Sequence, residues 1–426
     1  MTVRLIIDQA VDGADASVIA ERSPEGALLD ARLDLSILPR LEPLLLGRPV
    51  AEVPPLVERL CGVCPAAHHL AGVAALEALH GIASIPAQAR RVRRLLHYGS
   101  MLTMHATSFF AAGRQEALAL RRLGKLAMAA AGSPGHFPTT AVVGGAAGAM
   151  VADAATACAE SVAAALAGAR DLFRWAQDDP AATAERHAAS SDTFLGADVA
   201  LVDADGRLDP LGERLRAIDP AGQVIVAGAL ASQWDDLVAL AQPEAAASRP
   251  SLLAGGADGG HYRVGPVAGL RVAAPTTAVA AELREDWLRG GGGTLAARAV
   301  MAVHCVEAIA DLVAGQDWIG RDDTEPDKTG PAAAGRVGVG WVDGARGLLV
   351  HRYRVDQEGK VDQALVLTPT AQNEYWLSRL LIRALTGDSD HLALENAIRE
   401  ADPCLPCVAA PAGHMGVKIN TVTKDR

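Results

Sequence analysis

ERLCGVCPAAHHLAG, residues 58–72, decides how the rest of the chain is read. A Cys-x-x-Cys spacing lets two thiolates converge on one metal, and Pro65 directly after Cys64 suits the first position of a helix. The apolar pattern beyond it predicts that helix. The pair therefore stands at a helix N-terminus, where the macrodipole favours the ligating thiolate over the thiol. A second pair lies in DPCLPC, residues 402–407, where Pro403 stiffens the approach to Cys404. Cys61 and Cys404 are 343 positions apart. Zinc ribbons place their pairs roughly 15–20 residues apart, and a thioredoxin-like redox pair expects a nearby βαβ pattern, which is absent. Two unrelated pairs of buried cysteines are the plain alternative. Soft thiolates from opposite ends of a chain suit a nickel or iron centre best.

Outward from the first pair, Pro65 to about Arg122 is strongly helical in pattern. Residues 1–34 alternate apolar and polar positions and predict a small antiparallel sheet. Leu35 to Gly47 predicts a helix closed by Gly47. Residues 132–145 read as a loop, and a long Ala-rich helix is expected from about Ala146 to Asp178. Segment 190–275 mixes strands and turns, and helix returns from Thr276 to Gly315 with a break at 290–293. Arg321 to Ala334 reads as a surface loop. Strands fit Gly335 to Val342 and Leu348 to Leu367, and helices fit Asn373 to Thr386 and Asp390 to Glu400. The expected class is mainly α with small β elements (α+β), a helical core with an N-terminal antiparallel sheet. One large domain, 1–426, is expected. Its parts are a β-rich segment (1–50), a helical core with the first pair (51–189), a strand-and-turn insert (190–275) and a helical and strand part with the second pair and tail (276–426).

Composition agrees with close-packed helices. Half of the 426 residues are apolar and only 4% are aromatic, so the core must be built from Ala, Leu and Val. Alanine has the highest helix propensity and lets backbones approach. A net charge of −11 argues against nucleic acid, which rewards basic surfaces. The longest Ala/Val stretch is interrupted by Asp153 and Glu160, so no membrane span is expected. No signal peptide is apparent, and a soluble, cytoplasmic protein is the expectation. Six cysteines are few for this length, and in that compartment paired ones favour metal or redox work over disulfides.

ERLCGVCPAAHHLAG closely resembles the first signature of [NiFe]-hydrogenase large subunits, and DPCLPC resembles the second. Residues 96–110 (LHYGSMLTMHATSFF), 132–145 around His136, and 261–272 (HYRVGPVAGLRV) resemble internal motifs of that family in the expected order. So do 338–347 (GVGWVDGARG) and 368–373 (TPTAQN). The resemblance implies a nickel–iron centre with cyanide and carbonyl ligands on the iron, and heterolytic cleavage or formation of H2. It implies Cys61 and Cys404 as terminal nickel ligands and Cys64 and Cys407 as bridges to iron. Arg346 matches an arginine over the metals, where a guanidinium stabilises an anionic cluster. Thr370 matches a hydroxyl that hydrogen-bonds cyanide, Asp402 an acidic partner of the arginine, and His68 a histidine that orients metal ligands. His105 and His136 also fall at family histidine positions, whereas Cys158 and Cys305 match nothing. Because those two cannot bind a cluster by themselves, an iron–sulfur small subunit is the implied partner, with maturation chaperones.

Some family features are altered. The proton-transferring N-terminal glutamate has no clean copy, and Asp12 is its nearest counterpart, one methylene shorter. Ala410 stands where the family has the histidine of its processing site, and Ala345 replaces a proline before the arginine. The chain continues through Met415 to Arg426, as expected of one that keeps its tail. These changes open an alternative, a non-catalytic scaffold on which the iron–cyanide–carbonyl fragment is assembled.

Overall fold

Alanine at helical spacing builds the centre of the molecule. Helices Ala87–Ala111, Ala117–Ala130, Ala152–Asp178 and Thr294–Val313 pack on one another through buried Ala106, Ala127, Ala165, Ala169 and Ala302. Thr294–Val313 is apolar almost all round and is correspondingly central. The computed structural model describes residues 15–36, 40, 42–59, 61–178, 194–242, 248–258, 260–290, 293–314, 334–386 and 391–424. Asp12 and the first part of the sheet expected over 1–34, residues 1–14, lie outside them, as does most of the loop expected at 321–334.

The helix that follows the first cysteine pair, Pro65–His80, lies directly on strand Val337–Gly344. Glycine makes that contact possible. A Cβ on Gly338 would come 2.1 Å from the Ala75 carbonyl oxygen, and one on Gly340 would come 2.3 Å from that of Ala71. The contact sets the site, because the helix starts at Cys64 and the strand leads to Arg346. Gly340→Val is therefore expected to push helix and strand apart and cost about 1–3 kcal/mol, or more if the core cannot yield. Chemical denaturation measures this; an unchanged midpoint would show that the close approach is not needed.

Strands Val337–Gly344, Gly347–Val355 and Val361–Leu367 form an antiparallel meander. The single strand expected over Leu348 to Leu367 is thus two. The chain reverses at Asp356–Lys360, where Gly359 takes φ +74° and the Asp356 carboxylate accepts the amides of Glu358 and Lys360 at 3.0 and 2.9 Å. Among the described residues of the helix expected from Leu35 to Gly47, Glu42–Leu45 is helical. The insert carries a four-stranded sheet, Tyr262–Arg263, Ala197–Val202, Arg214–Ile218 and Val224–Leu230 in spatial order.

Near the N-terminus, Asp15–Arg22 and Leu28–Leu33 pair antiparallel as expected. The tail adds a third strand, Gly416–Thr423, parallel to Asp15–Arg22. Helices Glu374–Thr386 and His391–Ala401 cover this sheet through a second core that includes Val18, Leu33, Leu377, Leu381 and Ile398. Helical core and small sheets agree with the expected class. Among the described residues no helix is long and apolar enough to cross a membrane.

Candidate metal centre

Three cysteines from the two pairs, so distant in the chain, meet. Cys64 immediately precedes the Pro65–His80 helix, whose first turn is closed by the amides of Ala67 and His68 donating to the Cys64 carbonyl at 3.1 and 3.3 Å. Cys404 follows the His391–Ala401 helix, and its amide donates to the Thr370 hydroxyl oxygen at 2.7 Å. The Cys61–Cys64 sulfurs are 3.0 Å apart, and Cys404 stands 3.6 Å from the first and 3.7 Å from the second. Thiolates around one tetrahedral metal at bond lengths of about 2.3 Å lie about 3.8 Å apart. The donor set and two of its spacings therefore fit a thiolate-bound metal.

Cys407 stands apart. It lies on the short turn Pro406–Ala409, packed into the core beneath the N-terminal sheet, and makes no sulfur contact with the other three. Burial pushes its thiol up to about 11. Within the trio, the Cys404 and Cys64 thiols hydrogen-bond Cys61 and hold it far below the ordinary thiol range. Contacts with Cys404 and then Cys61, together with burial, raise the Cys64 thiol, and the contact with Cys61 carries Cys404 up to about 12, opposed by Cys64.

The trio forms one wall of a cavity of about 190 Å³ that His68, Arg346 and Thr370 also line. Arg346 sits at the turn between Val337–Gly344 and Gly347–Val355. Backbone fit holds that turn in place. Gly347 and Gly265 have φ +121° and +108°, and a Cβ on Gly347 would come 2.6 Å from the Gly265 nitrogen. The Arg346 Nε lies 3.1 Å from Asp402 Oδ1, while Oδ2 of the same carboxylate pairs with Arg298. All three side chains are buried. Burial alone would raise Asp402, but the two guanidinium groups outweigh it and hold the carboxyl below its usual range. Arg346 Nη1 is buried with no hydrogen-bond partner among the described residues. A buried, unsatisfied cationic donor at a cavity wall fits an anionic group inside.

The motif's other polar residues fasten its two ends. The Glu58 carboxylate lies 3.0 Å from His69 Nδ1, and His69 Nε2 accepts the Ala141 amide at 3.0 Å. Arg298 and His351 were not anticipated. A lone arginine inside the apolar run TLAARAVMAV was the available signal for the first. His105 is buried close by, with neither ring nitrogen hydrogen-bonded among the described residues, and burial pushes it down to about 3. His136 is exposed and packs edge-on against Phe137.

Asp343, three residues before Arg346, is buried, and burial pushes its carboxyl up to about 7, opposed by the Leu201 amide. A carboxyl raised in the folded state contributes stability at low pH and loses it as pH rises through the folded value. Stability should therefore fall between about pH 4 and 7 by roughly 4 kcal/mol from this group. Asp343→Asn is expected to flatten that decline and to melt above the parent at pH 8. Melting curves across that range decide it, and parallel pH profiles would refute it.

A family model described as nickel-dependent hydrogenase matches residues 40–113. The chain is 28% identical to a vhu subunit of the F420-non-reducing hydrogenase of Methanocaldococcus jannaschii, over 81% of this chain and 89% of that protein. It is 25% identical to the NAD-reducing hydrogenase HoxS subunit beta of Cupriavidus necator, over 99% and 97%. A solved NAD+-reducing [NiFe]-hydrogenase in the H2-reduced state superposes with a TM-score of 0.76 at 27% identity, covering 90% of this chain and 93% of that one.

Proposed function

Because the chain belongs to the nickel-dependent hydrogenase large-subunit family, we propose that it holds a nickel–iron centre at which H2 is cleaved or formed heterolytically. The observation that carries the reading is the meeting of Cys61, Cys64 and Cys404 at one cavity wall. Cys407 is assigned as the fourth ligand from its place in the motif. When bound, the metal pair supplies the Lewis acid that polarises H2. The chain's own part is electrostatic and steric. Arg346 presents a fixed positive charge and an uncommitted N–H to anionic groups in the cavity, and Asp402, itself paired with Arg298, holds it there. Thr370 accepts from Cys404 with its oxygen and keeps its own hydrogen to donate.

Electrons need a route out. Cys158 and Cys305 sit singly on separate helices, buried, with thiols raised by burial, so neither serves a cluster. An iron–sulfur subunit is therefore the proposed partner, with assembly chaperones loading the metals.

Metal analysis with infrared spectroscopy tests this. Nickel and iron near equal amounts, cyanide and carbonyl stretches, and H2-dependent dye reduction are expected. Zinc alone would sink the proposal, and iron with those stretches but no nickel would leave an assembly scaffold. Arg346→Lys keeps the charge but loses the planar fork. It is expected to retain the metals and lose about 10²–10³-fold in turnover; unchanged turnover would remove Arg346 from the chemistry.

A further inference from the structure

Three polar side chains run in file from the cavity wall into the core. His68 Nδ1 lies 3.0 Å from His351 Nε2, and His351 Nδ1 lies 2.5 Å from the Tyr353 hydroxyl. His351 and Tyr353 are fully buried, and His68 is 2% exposed. His68 also stands with Cys61 and Cys64 in a group whose nitrogen and sulfur atoms lie within 4.8 Å of one another. That proximity alone would allow it to serve as a third metal ligand.

We propose that Tyr353 and His351 are positioning residues that fix the hydrogen of His68 on Nε2, making it an N–H donor to the cysteine sulfurs and not a metal ligand. This rests on the metal-centre reading above for its purpose, though not for its geometry. A neutral imidazole is a donor at one nitrogen and an acceptor at the other. Only one hydrogen can therefore sit between His68 Nδ1 and His351 Nε2, and the phenol at the far end decides which ring carries it. Among the described residues the Tyr353 hydroxyl has no hydrogen-bond partner besides His351. If it accepted from His351, its own hydrogen would be buried without an acceptor, at a cost of about 1–3 kcal/mol. If it donates, His351 carries its hydrogen on Nε2 and gives it to His68 Nδ1. His68 then carries its own on Nε2, the nitrogen that His351 leaves uncommitted and so available to the sulfurs. A nitrogen with a hydrogen offers no lone pair to a metal. It can hydrogen-bond a ligand sulfur and draw charge from it.

The test reads the tautomer directly, by nitrogen NMR of the full-length, metal-free chain labelled with 15N-histidine. The His68 signals are identified as those missing from His68→Gln. Wild type is expected to show His68 protonated at Nε2, and Tyr353→Phe to shift it wholly or partly to Nδ1. Nδ1 protonation in wild type, or an unchanged pattern in Tyr353→Phe, overturns the assignment. Nickel(II) titration supplies the second readout. His68→Gln keeps an N–H donor and is expected to bind as wild type does, whereas His68→Leu is expected to bind roughly 10-fold more weakly. Equal loss in both variants would make His68 a ligand and refute the proposal. A wild type that takes up no nickel would sink the metal-centre reading instead, and the nitrogen spectra would still judge this one.

Discussion

Cys404→Ser is expected to leave the purified protein with less than about a tenth of the parent's nickel, and with no H2-dependent dye reduction. The reasons are position and softness. The sulfur of Cys404 is the only contribution from the C-terminal pair to the trio, at 3.6 and 3.7 Å from its partners. Its backbone is pinned by the Thr370 hydroxyl, so the segment cannot swing another donor into place. A serine hydroxyl there is harder and keeps its proton at neutral pH, and soft metals discriminate against such donors. Stability of the metal-free chain should hardly change, because Cys404 is only partly buried and the exchange is nearly isosteric. Elemental analysis and thermal unfolding on the same sample separate the two effects. Nickel content equal to the parent's would show that the trio is not the binding site.

Asp402→Asn is expected to be the most destabilising single change near the site, about 3–5 kcal/mol. Its carboxylate is the partner of both Arg298 and Arg346, and all three lie buried. Removing one member of a buried ion group leaves uncompensated charge in a poorly polarisable interior, which costs more than the intact group ever contributed. Asparagine is the informative replacement because Asp402 has φ +44°, a conformation that asparagine tolerates. Backbone strain is thereby held constant and only the charge is lost. Urea unfolding gives the loss, and a double change with Arg298→Met should recover part of it by removing one stranded cation. Additive losses in the double variant would contradict the pairing.

Much of this is legible in residue order. The Pro65–His80 helix follows from Pro65 and the apolar spacing after it, and the Thr294–Val313 helix from the end of the glycine run at 290–293. These are local signals, in which neighbouring residues carry both the pattern and its boundary. Local reading fails where a boundary is weak. The reversal at Asp356–Lys360 is hidden because residues on both sides alternate like one strand, although Gly359 marks it. The tail strand Gly416–Thr423 escapes for a different reason, since its pairing partner lies at Asp15–Arg22, at the other end of the chain.

Residue order alone determined the helical class, the two cysteine pairs and their place at the start of one helix and beyond the end of another. It also singled out Arg346, Asp402, Thr370 and His68. Tertiary structure alone decided that Cys61, Cys64 and Cys404 share a wall while Cys407 packs elsewhere, and that Asp402 serves Arg298 as well as Arg346. It also decided that His68 is backed by His351 and Tyr353. The physical reason is range. Periodicity and capping are set by residues a turn apart, whereas buried charges and hydrogen-bond chains are completed by whatever the folded backbone brings within about 3 Å.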